Sequence, residues 1–271
     1  MPAPPPQPPK PTAPDMSNVI LAWQTDFRNA DYETPYRLKG LGLLDGADGN
    51  FINDGSNAAV KTYFATYPDG QKAFCLQQLN DTETDRAEFN LFVRSATKTI
   101  LGKEFLFENY FYIPSDYKLS SATDKWLIIN AVDDALGYLP KWQTLFLGNS
   151  SAHPEVAVGQ TDLLIDHHAY PSGSLYEYLC RLHNYPIPTG RWFKLSWYQK
   201  FDAHHGKIKL WIDDRSVFDL SGLLTEDNTT NPNDYFYISI SKLYGDPHGT
   251  FPRAIWVSNI SLYNVTAPAA K

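Results

Sequence analysis

Between Gly190 and Asn264 four runs alternate bulky apolar and polar residues: GRWFKLSWYQ, GKIKLWIDDRSVFDLSG, DYFYISISKLYG and PRAIWVSNISLY. A period of two turns successive side chains to opposite faces, so each run predicts a half-buried antiparallel strand. Gly, Pro, Asp or Asn closes each one, as turn chemistry requires. The same grammar runs upstream through NVILAWQTDF, AAVKTYFATY, KAFCLQQL, RAEFNLFVR, KEFLFENYFYIP, KWLIINAV, WQTLFLG, TDLLIDHHAY and LYEYLCRLH. Between these lie LLDGADGN, YPDG, PTG, DAHHG and NPND. No helical pattern exceeds about two turns; a short helix is expected near Thr84 or within 221–227. Many short strands at near-regular turn spacing predict an all-β fold. The expected form is a β-sandwich jelly roll of two antiparallel sheets with a concave groove.

Residues 1–16 read as a Pro-rich linker, stiff and without the apolar content to build a core. The jelly-roll domain is expected over 17–266, with a tail at 267–271. Aromatic residues make up 14% of the 271-residue chain, more than a core requires, and the surplus suits a face that stacks on sugar rings. The net charge of −7 and the lack of a long basic run argue against a nucleic-acid partner. No run of about 18 apolar residues predicts a membrane span. Two cysteines, Cys75 and Cys180, are too few for a disulfide framework, though one bridge is conceivable. Sequons at Asn80, Asn149, Asn228, Asn259 and Asn264 point to a secreted glycoprotein, although the chain opens on MPAPPPQPPKPTAP rather than a leader. A monomer is expected.

The run GRWFKLSWYQKFDAHHGKIKLWIDDRSVFDLSG resembles a block of the jelly-roll polysaccharide lyases, the glucuronan lyase and heparin lyase I-like group. ISKLYGD and PRAIWVSNISLY follow in the same order. Upstream, TDRAEF resembles their R-x-E strand, FLFENYFYIPSDY the strand after it, and KWLIINAVDD the strand with a catalytic amide or His. The resemblance covers about residues 60–264 and implies β-elimination on a polysaccharide that contains uronic acid. That reaction needs a group to neutralise the uronate carboxylate, a base for the C5 proton and an acid for the departing O4.

The resemblance implies Tyr244 as the acid and a candidate base, with Lys242 alternating beside it on a set expected to share one strand face: Phe236, Ile238, Ile240, Lys242 and Tyr244. It implies Arg86 as the carboxylate clamp, oriented by Glu88, and Asn130 as the amide. The chain departs from the pattern in lacking Gln-x-His on the Asn130 strand. His167 and His168 therefore offer an alternative base, since a neutral imidazole suits proton abstraction near neutral pH. Asp166 with these two histidines makes a poor chelate, because neighbours on a strand diverge, and no metal site is assigned. Arg181 and His183 alternate on one strand and could line the groove. Trp126, Trp142, Trp197 and Tyr198 are candidate stacking platforms, whereas Trp192, Trp211 and Trp256 read as core anchors. No cofactor is required; a structural Ca²⁺ is conceivable in the LLDGADGN loop, although Ser258 stands where the family carries a late Asp. The rival reading is a non-catalytic carbohydrate-binding module that uses the same concave face.

Overall fold

The computed structural model describes residues 5–7, 18–45, 49–53, 60–79, 86–94, 99–116, 127–134, 143–148, 162–168, 176–182, 187–202, 204–223, 225, 236–244 and 253–266. Among them the chain is almost wholly β, apart from a 3-10 turn at Gly42–Leu44. The strands are β1 (Val19–Thr25), β2 (Asp31–Thr34), β3 (Arg37–Lys39), β4 (Asn50–Asn53), β5 (Val60–Thr66), β6 (Lys72–Gln78), β7 (Arg86–Arg94), β8 (Glu104–Tyr112) and β9 (Leu127–Asp134). They continue as β10 (Gln143–Gly148), β11 (Asp162–His168), β12 (Tyr176–Leu182), β13 (Trp192–Lys200), β14 (Gly206–Ile212), β15 (Arg215–Leu223), β16 (Phe236–Tyr244) and β17 (Arg253–Val265).

One sheet runs β15-β14-β13-β8-β17-β6-β5, with β1 also paired to β17. The other runs β12-β11-β10-β9-β16-β7-β4. Both are antiparallel throughout. The two sheets bury their facing sides in one core. Phe105, Phe107 and Phe111 of β8 and Phe193, Leu195 and Trp197 of β13 meet Phe89, Leu91, Ile238 and Ile240 there. Aromatic packing carries much of it: Phe74 and Phe89 lie 5.2 Å apart between ring centroids, each in contact with Phe27 at 6.0 Å.

Register shifts occur in several strand pairs, and two of them matter most for which residues face the core. In β17 the core-facing residues are Ile255 and Val257, then Ile260 and Leu262. The switch falls where the β17/β8 register shifts between Ser258 and Ser261. Asn259 sits there with φ +50°, buried, and its Oδ1 accepts from Gln71 Nε2 at 3.1 Å. Asparagine tolerates the left-handed conformation that a bulge demands. In β16 the register against β7 shifts between Ile240 and Lys242. Ile238 and Ile240 face the core, while Lys242 and Tyr244 pair with Glu88 and Arg86, positions that alternate with core-facing Phe89 and Leu91. The expected single face from Phe236 to Tyr244 is therefore divided at Ser241.

Local clamps hold the first connections. Asn50 is fully buried and accepts from the Leu38 N–H at 2.7 Å, while its Nδ2 donates to the carbonyls of Leu38 and Leu44 at 2.8 and 2.7 Å. Gly49 is required beside it, because a Cβ there would lie 1.9 Å from the Leu44 carbonyl oxygen.

Several sequence expectations change. Trp197 is fully buried between the sheets, with its Nε1 donating to Gln199 Oε1 at 2.9 Å, so it is a core anchor and not a platform. Trp192, Trp211 and Trp256 lie outside that core, on the outer side of the eight-stranded sheet. The reason is parity: on β13, Phe193, Leu195 and Trp197 take the core face and leave Trp192 and Tyr198 on the other. Residues 221–223 extend β15 rather than starting a helix, and Thr84 lies outside the described residues. Cys75 is a buried free thiol, so no bridge joins it to Cys180, whose strand β12 belongs to the other sheet. Two sequons are committed to structure. Asn259 holds the bulge, and Asn264 accepts from the Gly102 N–H at 2.7 Å and donates to the Ile100 carbonyl at 3.0 Å. Asn80, Asn149 and Asn228 lie outside the described residues. No helix among the described residues is long and apolar enough to cross a membrane.

The outer side of the eight-stranded sheet is rich in buried and partly buried phenols. Burial raises Tyr67 to about 12 and Cys75 to about 12 from ordinary values of 10.0 and 9.0. Burial is also the first cause that pushes Tyr63, Tyr198 and Tyr263 upward. A group with a raised folded pKa stabilises the fold fully below its unfolded pKa and loses that contribution as pH rises toward the folded value. The urea unfolding midpoint should therefore hold steady near neutrality and fall between pH 9 and about 12, with a coincident rise in phenolate absorbance. A flat midpoint across that window would contradict the burial of these groups.

Candidate functional site

The outer side of the seven-stranded sheet brings several of the expected residues into register. Tyr244 of β16 stands opposite Arg86 of β7, and Lys242 stands opposite Glu88. All four positions share the face turned from the core, a consequence of the bulge at Ser241. Opposed residues on neighbouring strands sit about 5 Å apart at the backbone. Arg86, Glu88, Lys242 and Tyr244 thus hold neighbouring backbone positions in one small area of sheet.

Glu88 is 1% exposed although it lies on the outer face. A carboxylate at that depth requires polar company. Ser239, fully buried and opposite Asn90, lies with its Oγ 3.0 Å from Glu88 Oε1 and in contact with the Asn90 side-chain amide. One hydroxyl proton cannot serve two acceptors. Turning the Asn90 amide so that Nδ2 donates to Ser239 Oγ lets the hydroxyl donate to Glu88 Oε1, which resolves the conflict at the hydroxyl. Asn90 and Ser239 were not among the candidates from sequence. The signal for Asn90 was present: Arg86, Glu88 and Asn90 alternate on one strand face, so R-x-E extends to R-x-E-x-N.

Asn130 does not join this group. It takes the row Leu145–Asn130–Ile240–Phe89, whose last two members face the core. Four residues along and one strand across put it about 14 Å from Tyr244 at the backbone. The β9/β10 register shifts between Leu145 and Phe146, which leaves Ile129 as an extra residue next to Ser241. This doubled bulge leaves the β16/β9 register unbroken but puts the Asn130 row on the core-facing side and the Lys242 row on the outer one. His167 shares a row with Gln143, Val132, Ile238 and Leu91, three of which are core residues. It lies three strands from β16, about 24 Å from Tyr244. His168, opposite Tyr176 at the end of β11, is equally remote. Neither histidine shares the Arg86–Tyr244 level.

Arg181 is placed differently. The register row runs Arg181–Leu164–Phe146–Ile128–Lys242–Glu88 across the sheet. Arg181 thus shares the Lys242 row at a distance of about 19 Å, four strand spacings. His183, Trp126 and Trp142 lie outside the described residues. Tyr198, expected as a platform, is buried on the opposite sheet with its hydroxyl bonded to Glu104.

A second charge cluster, with Lys194 and Glu108 buried and Asp214 exposed, sits on the outer side of the eight-stranded sheet. Lys194 Nζ lies 2.6 Å from Asp214 Oδ1 and 3.5 Å from Glu108 Oε1, and Ser196 Oγ donates to Glu108 Oε1 at 2.6 Å. Burial opposes the Lys194 charge, but the bond to Asp214 and the Glu108 charge outweigh it and hold the ammonium above its ordinary pKa. Its charges pair with one another and leave no donor set directed at a ligand. Among the described residues no three His, Cys, Asp or Glu side chains gather as a metal-binding group. Residues 46–48 of the Asp-rich loop are outside those described.

No known protein-family profile matches the chain, and no curated protein sequence does. Solved structures do resemble it. The alginate lyase Aly36B aligns over 80% of this chain and 97% of its own, with a TM-score of 0.50 and 12% identity. A variant of that enzyme in complex with an alginate trisaccharide aligns over 82% and 100%, with a TM-score of 0.51 and 12% identity. The catalytic domain of an endo-1,3-β-glucanase (laminarinase) from Thermotoga petrophila RKU-1 aligns over 93% and 100%, with a TM-score of 0.50 and 12% identity. The chain is a β-sandwich jelly roll. At this identity the likeness establishes the fold, and function must be argued from the site.

Replacing Ser239 by alanine removes the donor to a buried carboxylate. Chemical denaturation should show a loss of about 1–3 kcal/mol, and Asn90→Ala should cost nearly as much. The double variant should lose less than the sum, since both belong to one hydrogen-bonded chain. Strict additivity would contradict the network.

Proposed function

We propose that this chain is a polysaccharide lyase that cleaves a uronate-containing glycan by β-elimination on the outer side of the seven-stranded sheet. The observation that carries the proposal is the register pairing of Arg86 with Tyr244, beside Glu88 with Lys242, on one face. The fold likeness to an alginate lyase and a glucanase catalytic domain supports a carbohydrate-processing role. Arg86 is assigned to the uronate carboxylate, where a guanidinium offers a bidentate fit. Glu88, fixed by Ser239, keeps Arg86 in place. Tyr244, as phenolate, takes the C5 proton; the electron pair forms the C4–C5 double bond, the C4–O4 bond breaks, and the phenol returns the proton to O4. A phenol ordinarily titrates near 10, so this role calls for cations beside it, and Lys242 and Arg86 occupy the adjacent positions. The separation of His167 and His168 from this level leaves Tyr244 as the preferred base. Arg181, on the same row, is assigned to a remote uronate along the polymer. We place the protein outside the cell, where such polymers occur, acting as a monomer without a cofactor.

The rival reading, a carbohydrate-binding module on the same face, draws on one observation: Asn130 lies on a core-facing row, which leaves Arg86 to neutralise the carboxylate without an amide. A panel of uronate polymers separates the two, with ultraviolet absorbance reporting unsaturated chain ends. The lyase reading expects new ends from the wild type and a fall of about a hundred- to ten-thousand-fold in kcat for Tyr244→Phe, with KM little changed. Arg86→Ala should lower kcat/KM, and lysine there should restore part of it. Retention of polymer without unsaturated ends would select the binding module.

A further inference from the structure

The outer side of the eight-stranded sheet is not bare. Next to β5 and β6 it carries an aromatic cluster in which Tyr67, Cys75 and Trp256 are buried and Tyr63, Tyr112 and Trp192 pack at the rim. Tyr63 and Trp256 meet edge to face at 5.3 Å, and Tyr112 and Trp192 lie 5.7 Å apart. The segment Pro5–Gln7 bonds to two side chains of this cluster and to the neighbouring Asp69. Pro5 is buried. The Tyr67 hydroxyl donates to the Pro5 carbonyl at 3.1 Å, and Trp192 Nε1 donates to the Pro6 carbonyl. Gln7 Nε2 donates to Asp69 Oδ2, while Asp69 Oδ1 accepts from the Gln71 N–H at 3.0 Å within the β5–β6 turn.

These contacts match what a proline tract offers. Proline has no N–H, and a tract forms no internal hydrogen bonds, so its carbonyls depend on outside donors. Its rings are apolar and already restricted, so ordering them costs little entropy. An aromatic surface with a phenol O–H and an indole N–H standing out of it supplies both ring contact and donors. Consecutive carbonyls, at Pro5 and Pro6, each receive one. A free linker, as expected for residues 1–16, would show none of this.

We propose that this aromatic surface is a recognition site for proline-rich segments, and that its occupant is the chain's own amino-terminal segment around Pro5–Gln7, bound in cis. The site is separate from the Arg86–Tyr244 area, on the other sheet, and does not depend on the lyase reading. Its specificity lies in the spacing of the Tyr67 and Trp192 donors, which reads two successive carbonyls, and in Asp69, which reads the side-chain amide that follows. Tyr63, Tyr112 and Trp256 supply the floor.

The test uses the full chain with ¹⁵N-labelled tryptophan. Seven indole signals are expected from seven tryptophans, and Trp192→Phe identifies one of them. The proposal expects the Trp192 indole N–H to exchange about tenfold more slowly than an exposed indole. The full-length variant Pro5→Gly/Pro6→Gly should lose that protection while keeping its β-sheet circular dichroism. A synthetic peptide of residues 2–14, added at about millimolar concentration to match the effective concentration of a short tether, should restore it. A peptide with glycine at every proline should not. An unprotected Trp192 in the intact chain would overturn the proposal, and so would loss of protection that the proline peptide cannot reverse. Protection that rises with protein concentration together with a dimer would overturn occupancy in cis and assign the segment to a second copy.

Discussion

The bulge at Ser241 is the constraint on which the proposed chemistry rests. A period-two strand that faces the core at Ile238 and Ile240 would carry Lys242 and Tyr244 into the core as well. One extra residue reverses that assignment and sets both opposite Glu88 and Arg86 on the outer face. Burying a lysine and a phenol between sheets packed with phenylalanine would be costly. The insertion therefore reconciles core packing with a polar row on the same strand. A parallel device operates in β17, where Asn259 in the left-handed conformation changes the core-facing set from Ile255 and Val257 to Ile260 and Leu262.

The two outer faces differ in chemistry because the strands beneath them differ in parity. On β7 and β16 the residues left outside the core are Glu88, Asn90 and Ser239, with Arg86, Lys242 and Tyr244 in register. On β8 and β13 they include Glu108, Tyr110, Tyr112, Trp192, Lys194, Ser196 and Tyr198. The first set is polar and charged, with Glu88, Asn90 and Ser239 buried beneath the outer side. The second is an aromatic surface on which part of the amino-terminal segment lies.

Much of the architecture was legible. The alternating runs RWFKLSWYQK and GKIKLWI named β13 and β14, and their turn residues marked where they end. What alternation could not reveal was any interruption of itself. Ser241, Ile129 and Asn259 look like ordinary strand residues, and only the pairing with β7, β10 and β8 exposes them as extra. Asn130 was grouped with Tyr244 by the family resemblance alone, and Trp197 was read as a platform although β13 pairs with both neighbours without a register shift. Arg86 and Glu88 keep the alternation of β7 and pair with Tyr244 and Lys242 beyond the shift at Ser241. Parity errors also exchanged tryptophans between core and outer face, since a tryptophan satisfies either environment provided its N–H finds a partner. The proline segment read as a free tether because nothing local announces the distant Tyr67 and Trp192 donors.

The most direct test of the central claim is where a uronate oligosaccharide binds. Backbone amide shifts recorded during titration with a short oligouronate should change along residues 86–90 and 239–244. The outer side of the eight-stranded sheet, including the amides of β13 and β14, should stay unmoved. Shifts confined to that aromatic sheet, with Arg86 and Tyr244 silent, would contradict the account.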